Sequence, residues 1–352
     1  MLSIDNLNDG LIYLHCTACM SVWSDAASWA NANKHRITRN PAEAKHIIVL
    51  GCQVTDMAIM NDLLVARRFA TKYKTNTYIS GCLANREDIE LPKLPTDIQL
   101  QRLSIFRSDY TPIVDSSLVE YEPPYWKHPN MQLARFAGAY PLRISVGCVK
   151  NCNYCTIRHT RGPGYDLDPD KNTDELASYW AYTGVPHTPW ALLVADSPSA
   201  ELISTWCDLA IKYRFRISIR NIEPSEATKC ADKILALARK DKLAEFYMPI
   251  QSLDKNILSV MHRNVDATLD SLGLIAKLRA HKVLCYTNII IDYCDPETGK
   301  LIPDMSVSET LKYFDDVQWN TYWNGKFDLE QAKDKFKRLY PFYSSNFGDS
   351  LW

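Results

Sequence analysis

The sequence predicts an α/β protein in two parts, an N-terminal doubly wound parallel-sheet domain followed by a partial (β/α)6 barrel. Three observations carry this expectation. Short apolar runs alternate with helical stretches through both halves of the chain, the pattern of βαβ units. A stretch with Pro112, Pro123, Pro124 and Pro129 and no hydrophobic period divides the two series. At 352 residues the chain is also long enough for two cores of ordinary size. The expected divisions are residues 1–110 for the first domain, 111–139 for a connector, 140–320 for the barrel and 321–352 for a short C-terminal tail.

In the first domain, Leu11-Ile12-Tyr13-Leu14 reads as a strand, followed by a helix from about Val22 to Asn33. His46–Leu50 is a second strand, with a helix from Asp56 to about Lys72, and Thr77–Ser80 a third, ending at Gly81. Ligands of an open parallel sheet gather beyond the carboxyl ends of its strands. Each of these ends runs into cysteine: Cys16 and Cys19, then Gly51-Cys52, then Gly81-Cys82. Cys19 and Cys52 are 33 residues apart and Cys52 and Cys82 30, one strand-helix unit each, so three thiols are expected to meet at one sheet edge. Cys16 is an alternative to Cys19 as a ligand.

In the second part, strands are expected at Leu142–Val146, Ala191–Ala195, Arg216–Ile222, Glu245–Ile250 and Leu284–Ile291. The helices between and after them are Thr173–Tyr182, Ser199–Tyr213, Ala227–Arg239, Ala267–His281 and Ser306–Asp316. That makes five or six units, fewer than the eight of a closed barrel. Such barrels build their sites at the C-terminal ends of the strands. The first strand leads into Gly147-Cys148, Asp196 ends the second, and Gln251 and Ser252 follow the fourth.

Cys148, Cys152 and Cys155 lie within eight residues, spaced three residues and then two. A structural zinc site closes with four ligands, and no fourth cysteine or suitable histidine pair is near. Three soft sulfur ligands suit a four-iron cluster in which one iron keeps an open position. Eleven cysteines in a chain of net charge −1 and 46% hydrophobic residues read as metal or redox use in the reducing cytoplasm rather than as disulfides. No apolar run reaches membrane-span length and no signal peptide is recognised, so a cytoplasmic location without membrane partners is expected. The near-neutral charge advertises no nucleic acid globally. Cys207, Cys230 and Cys285 fall within element patterns as packing residues, and Cys294 near the barrel mouth.

Cys148 through Cys155, followed by Thr156-Ile157-Arg158-His159-Thr160-Arg161-Gly162, resembles the cluster loop of the radical S-adenosylmethionine (SAM) methylthiotransferases with its trailing Arg-Gly. Cys19 with Asp25, Gly51-Cys52-Gln53-Val54-Thr55-Asp56-Met57-Ala58 and Gly81-Cys82-Leu83-Ala84 resemble that family's three auxiliary-cluster motifs. Met248-Pro249-Ile250-Gln251-Ser252 and Ile257–Arg263 resemble its Pro-x-Gln-Ser strand end and the Leu-x-x-Met-x-Arg helix behind it. Three stretches depart from the pattern. Asp292–Thr298 stands where a Gly-Phe-Pro-Gly-Glu-Thr turn is usual, Leu253 where a Gly is usual, and the small β-barrel RNA-binding (TRAM) domain is expected to be lacking.

The resemblance implies two [4Fe-4S] clusters and SAM as cofactors. Cys148, Cys152 and Cys155 would hold the cluster that cleaves SAM to a 5′-deoxyadenosyl radical, a chemistry the cofactor supplies and the protein positions. Cys19, Cys52 and Cys82 would hold the auxiliary cluster that binds or donates sulfur, across a cavity closed to solvent. Tyr154, Asp196, Gln251 and Ser252 are candidates for holding SAM, and Arg161 for a substrate phosphate or carboxylate. For Tyr154 core packing, for Asp196 helix capping and for Arg161 a solvated loop position stand as alternatives. The implied function is methylthiolation of an unactivated C–H, foremost C2 of the hypermodified adenosine at position 37 of tRNA. A ribosomal protein or other peptide is the alternative substrate, and a non-catalytic iron–sulfur electron-transfer protein the reading from another class. A flavodoxin- or ferredoxin-like electron donor is implied as partner. Lys335, Lys337 and Arg338 with Tyr340, Phe342 and Tyr343 form a candidate RNA contact.

Overall fold

The computed structural model describes residues 2–53, 55–87, 89, 91, 100–104, 111–122, 139–184, 189–295, 298–304, 306–321 and 334. Most of the expected connector, most of the tail and the basic-aromatic cluster at 335–343 therefore lie outside the described residues. The chain divides into two compact units, Met1–Tyr125 with residues 325–352, and Trp126–Asn324.

The first unit is built on five parallel strands, β1 (Ile12–Cys16), β2 (His46–Gly51), β3 (Asn76–Gly81), β4 (Leu100–Arg102) and β5 (Glu120–Tyr121), in the order β4-β3-β2-β1-β5. Every residue of β1 and β2 is buried, as expected of parallel strands covered on both faces. Helix α1 (Met20–Ala32) follows β1, and α2 (Asp56–Tyr73) follows β2. Thr55 caps α2 by accepting from the Ala58 N–H, and Lys74 ends it in the left-handed conformation. In register, Cys16 lies beside Leu50, and Gly51 beside Gly81.

The second unit begins with β6 (Tyr140–Arg143) and a small antiparallel pair, β7 (Ser145–Val146) and β8 (Tyr165–Asp166), with the short helix α3 (Ile157–Arg161) between them. The main sheet continues through β9 (Trp190–Val194), β10 (Arg216–Ile219), β11 (Leu243–Tyr247) and β12 (Leu284–Cys294). β13 (Leu301–Pro303) pairs antiparallel with β12, and β14 (Asp316–Thr321) pairs parallel with it. β6, β9, β10, β11, β12 and β14 are thus six parallel strands, each following pair linked through helix. The helices are α4 (Pro169–Thr183), α5 (Ala200–Lys212), α6 (Pro224–Lys229), α7 (Ala231–Arg239), α8 (Lys255–Val260), α9 (Val265–Ala280) and α10 (Val307–Tyr313). This is a (β/α)6 arrangement, the partial barrel the sequence predicts. Helix α5 buries Leu202, Ile203, Trp206, Cys207 and Ala210, one stripe at helical spacing.

Three elements differ from expectation. The single helix over Ala227–Arg239 is two helices broken at Cys230, whose thiol donates to the Glu226 carbonyl at 3.2 Å. The expected Ser306–Asp316 helix stops at Tyr313, and Asp316 opens a sixth strand whose Asp, Gln and Asn residues hide it from propensity. The departing stretch at Asp292 is not an open loop: β12 runs on to Cys294 and turns back through β13, with Gly299 at φ +66°. No helix among the described residues is long and apolar enough to cross a membrane.

Candidate active site

The loop bearing Cys148, Cys152 and Cys155 leaves the C-terminal end of β6 and returns through β8, so β7 and β8 close it at its base. Gly147 sits at φ +74°, and a Cβ there would lie 2.5 Å from the Gly162 carbonyl oxygen. Gly164 faces the Cys148 backbone, which a Cβ would meet at 3.1 Å. Side chains at these two positions would force the loop open. The Cys148 N–H donates to the Gly162 carbonyl at 3.3 Å, completing the closure.

One buried carboxylate holds this base to the barrel. Asp196 Oδ2 accepts from Arg143 at 2.9 Å, from Arg161 Nε at 2.7 Å and from the Gly147 N–H at 2.9 Å. All three side chains are almost fully buried, at 6% for Arg143, 3% for Arg161 and 5% for Asp196. Against the cost of its burial, the two guanidinium groups hold the Asp196 carboxyl at about 2. Asp196 and Arg161, read from sequence as cofactor and substrate contacts, thus meet each other. The capping of α5 falls to Ser199, which accepts from the Leu202 N–H, and not to Asp196.

The middle of the loop is pinned to α8 and β12. The Asn153 side chain donates to the Val260 carbonyl and accepts from the Tyr293 hydroxyl, the latter at 2.7 Å. Tyr154 packs against Ile257, Met261, Ile290 and Tyr293. The Arg263 guanidinium donates to Cys152 Sγ at 3.8 Å and to the Pro249 carbonyl at 2.5 Å, and pairs with Glu223 at 2.6 Å. Burial raises the Tyr154 hydroxyl well above its usual range. Burial raises the Cys152 thiol too, with the Arg263 charge opposing, and pushes Cys155 up to about 12, with Cys152 and Cys148 adding to it. Among the described residues no three Cys, His, Asp or Glu side chains converge on a single ion. A four-iron cluster spreads its ligands over several metal atoms, and a set of three soft thiols on one closed loop fits that group better than a single ion. A cleft of about 310 Å³ opens beside Cys152, lined among others by Lys150, Glu223, Lys229, His262 and Asn264. Lys150 and Lys229 both pair with Glu226, at 2.9 and 3.0 Å.

Gln251 and Ser252 lie buried at the end of the fourth parallel strand. Gln251 sits at φ +71°, its N–H donating to the Asn288 carbonyl and its side-chain oxygen accepting from Asn288 Nδ2 at 3.1 Å. Ser252 accepts from the Asp254 N–H. Gln251 is thereby tied to β12 of the barrel wall, and Ser252 holds the turn that leads into α8.

In the first unit, Cys19, Cys52 and Cys82 each follow the C-terminal end of one of three adjacent strands, β1, β2 and β3. Cys52 and Cys82 come directly after the register partners Gly51 and Gly81. Gly81 has φ +73°, and a Cβ on it would lie 2.5 Å from the Gly51 carbonyl oxygen. Gly81 can come this close to the end of β2 only without a side chain. Cys19 is the N-cap of α1, where a helix end favours negative charge, whereas Cys16 is buried inside β1. Three thiols at neighbouring strand ends are a donor set that fits a second cluster. Cys207, Cys230 and Cys285 are buried, and burial lifts each thiol far toward the protonated form. Arg143, Glu223 and Asn153 were missed by sequence reasoning; Arg263 was visible only as the end of the Leu-x-x-Met-x-Arg stretch.

No family model matches the sequence. The chain is similar to a probable threonylcarbamoyladenosine tRNA methylthiotransferase of Pyrococcus horikoshii, 25% identical over 65% of this chain and 56% of the relative. A ribosomal protein uS12 methylthiotransferase of Clostridium acetobutylicum is 24% identical over 82% of this chain and 69% of its own length. A tRNA-2-methylthio-N(6)-dimethylallyladenosine synthase of Bordetella avium is 26% identical over 77% and 62%. The chain thus spans little more than half the length of the first of these relatives. Among solved structures, a radical SAM methyltransferase from Kitasatospora setae, bound to tryptophan and a SAM analog, matches 82% of this chain and 69% of its own at 11% identity, TM-score 0.46.

Proposed function

With the chain a relative of the radical-SAM methylthiotransferases, we propose that it inserts a methylthio group at C2 of the hypermodified adenosine at position 37 of tRNA. The observation that carries this reading is the presence in one chain of two cysteine triads, one on the closed loop 147–164 and one behind three adjacent strands of the first unit. Cys148, Cys152 and Cys155 would hold one [4Fe-4S] cluster, and Cys19, Cys52 and Cys82 the other. When bound, these groups with SAM supply radical cleavage of the C–H bond and delivery of sulfur and methyl.

The chain's own residues supply positioning. Asp196, Arg143 and Arg161 hold the base of the loop, and Asn153, Tyr154 and Tyr293 hold its centre, so the three thiols keep a fixed spacing. The raised thiols of Cys152 and Cys155 give up their protons on loading. The Arg263 cation beside Cys152 offsets charge on the loaded thiolates. The cleft beside Cys152 is of a size to admit a small cofactor, and there we place SAM, whose carboxylate and amino groups would exchange with the ion pairs Lys150–Glu226 and Arg263–Glu223 at its edge. Reduction would come from a flavodoxin- or ferredoxin-like donor in the cytoplasm.

The uS12-directed relative aligns over the larger share of this chain, which favours an aspartate of a ribosomal protein as the second reading. Expression in a host stripped of its own methylthiotransferases, followed by mass spectrometry of total tRNA and ribosomal protein, tests both. A methylthio adduct on nucleoside supports the first reading, and an adduct confined to peptide replaces it with the second. Reduced protein that releases no 5′-deoxyadenosine from SAM refutes both.

A further inference from the structure

Asp62 lies on α2, fully buried, ten residues beyond Cys52. Its Oδ1 accepts from the Thr17 hydroxyl at 2.6 Å, and its Oδ2 from the Cys52 N–H at 2.5 Å. Thr17 lies between Cys16 and Cys19 in the loop behind β1, so one carboxylate ties the first cysteine loop to the second. The third loop is at the same point. A Cβ on Gly51 would meet Asp62 Oδ2 at 2.9 Å and the Leu83 side chain at 3.2 Å, and Leu83 follows Cys82. The missing side chain of Gly51 is what lets the carboxylate reach in from the helix while the Cys82 loop closes over the same spot. Thr17 is further held by the Leu50 carbonyl, to which its N–H donates at 3.2 Å, leaving its single hydroxyl proton to the shorter bond with Asp62.

Two donors from two loops need two acceptors at fixed separation, and a carboxylate offers both without rearrangement. A fully buried acid is costly unless such bonds satisfy it, so its presence on the sheet-facing side of α2 calls for a reason. We propose that Asp62 is the positioning residue of the auxiliary centre, setting the spacing of Cys19 and Cys52 through Thr17 and the Cys52 N–H. The inference rests on the reading of Cys19, Cys52 and Cys82 as cluster ligands. Groups that orient metal ligands typically contribute about 10- to 100-fold to metal retention.

The test uses the full chain with Cys148, Cys152 and Cys155 replaced by alanine, so that only the auxiliary centre can take up iron. After anaerobic reconstitution this parent is expected to hold about four irons. Adding Asp62→Ala should lower that to below about one, or speed iron loss to a chelator by about 10- to 100-fold. Thr17→Val, which keeps shape and removes only the hydroxyl, should shift the electron paramagnetic resonance signal of the reduced cluster while the fold, read by circular dichroism, stays intact. It serves if Asp62→Ala does not fold. Full iron with an unchanged signal in every variant that folds overturns the proposal. No iron in the parent removes the auxiliary centre itself, and this inference with it.

Discussion

Asp196→Asn is the sharpest probe of how the barrel holds its cysteine loop. The wild-type carboxylate faces two guanidinium groups and one backbone N–H, all buried. Two arguments bound the cost. A carboxyl held at about 2 instead of 3.8 is worth about 2.5 kcal/mol at neutral pH. Removing one partner of a buried ion pair outright costs about 3–5 kcal/mol, because the remaining charge is left without compensation. Linkage counts only protonation, while the amide also turns an N–H toward donors, so the larger effect governs and the expected loss is about 3–5 kcal/mol. Urea unfolding of the apo-protein at pH 7 measures it. Arg161→Met should cost less in the Asp196→Asn background than in wild type, since there it removes an uncompensated cation. A loss below about 1 kcal/mol for Asp196→Asn, or an identical cost of Arg161→Met in both backgrounds, refutes the reasoning. The pH dependence has a fixed sign. The folded carboxyl is depressed, so its contribution is complete above about pH 4 and disappears as pH falls toward 2.

The opposite sign is expected at Glu175, which is buried, accepts from the Tyr140 hydroxyl at 2.5 Å and is raised by burial to about 7. Its neutral form is favoured in the fold, so stability falls by about 3 kcal/mol as pH rises from about 4.5 through 7; Glu175→Gln should flatten that slope in thermal melts across pH 4–8. Gly81→Ala meets the Gly51 carbonyl at 2.5 Å and a backbone at φ +73°, and should cost at least about 1–2 kcal/mol, with iron uptake falling by half in the otherwise unaltered chain. Arg263→Met leaves Glu223 without its 2.6 Å partner and Cys152 without its neighbouring cation; loop-cluster iron should be lost to chelator faster than in wild type, whereas Arg263→Lys should restore part of the retention.

The three-then-two cysteine spacing and the cysteines behind successive strands could be read from the chain because cysteine spacing within a loop, and one cysteine per strand-helix unit, are local patterns. Strand and helix periods were equally legible wherever the runs were apolar, as in His46–Gly51 and Ala200–Lys212. They failed where neighbours decide: β14 is polar and exists as a strand because β12 offers it a long edge. Cys230 breaks a helix whose period runs straight through it. Asp62 left only the trace of an acid on the apolar side of α2, between Ile59 and Leu63.

The chain by itself determined the α/β class, the repeated units and the placing of the two cysteine triads along them, since each depends on residues a few positions apart. The tertiary structure alone decided what those thiols lean on. Asp196 reaches Arg161 across 35 residues and Arg143 across 53, and Asp62 reaches Thr17 across 45. Such partners become neighbours only when strand register has been set. A buried carboxylate is held by whatever donors that register delivers, and no periodicity in the sequence encodes which ones they are.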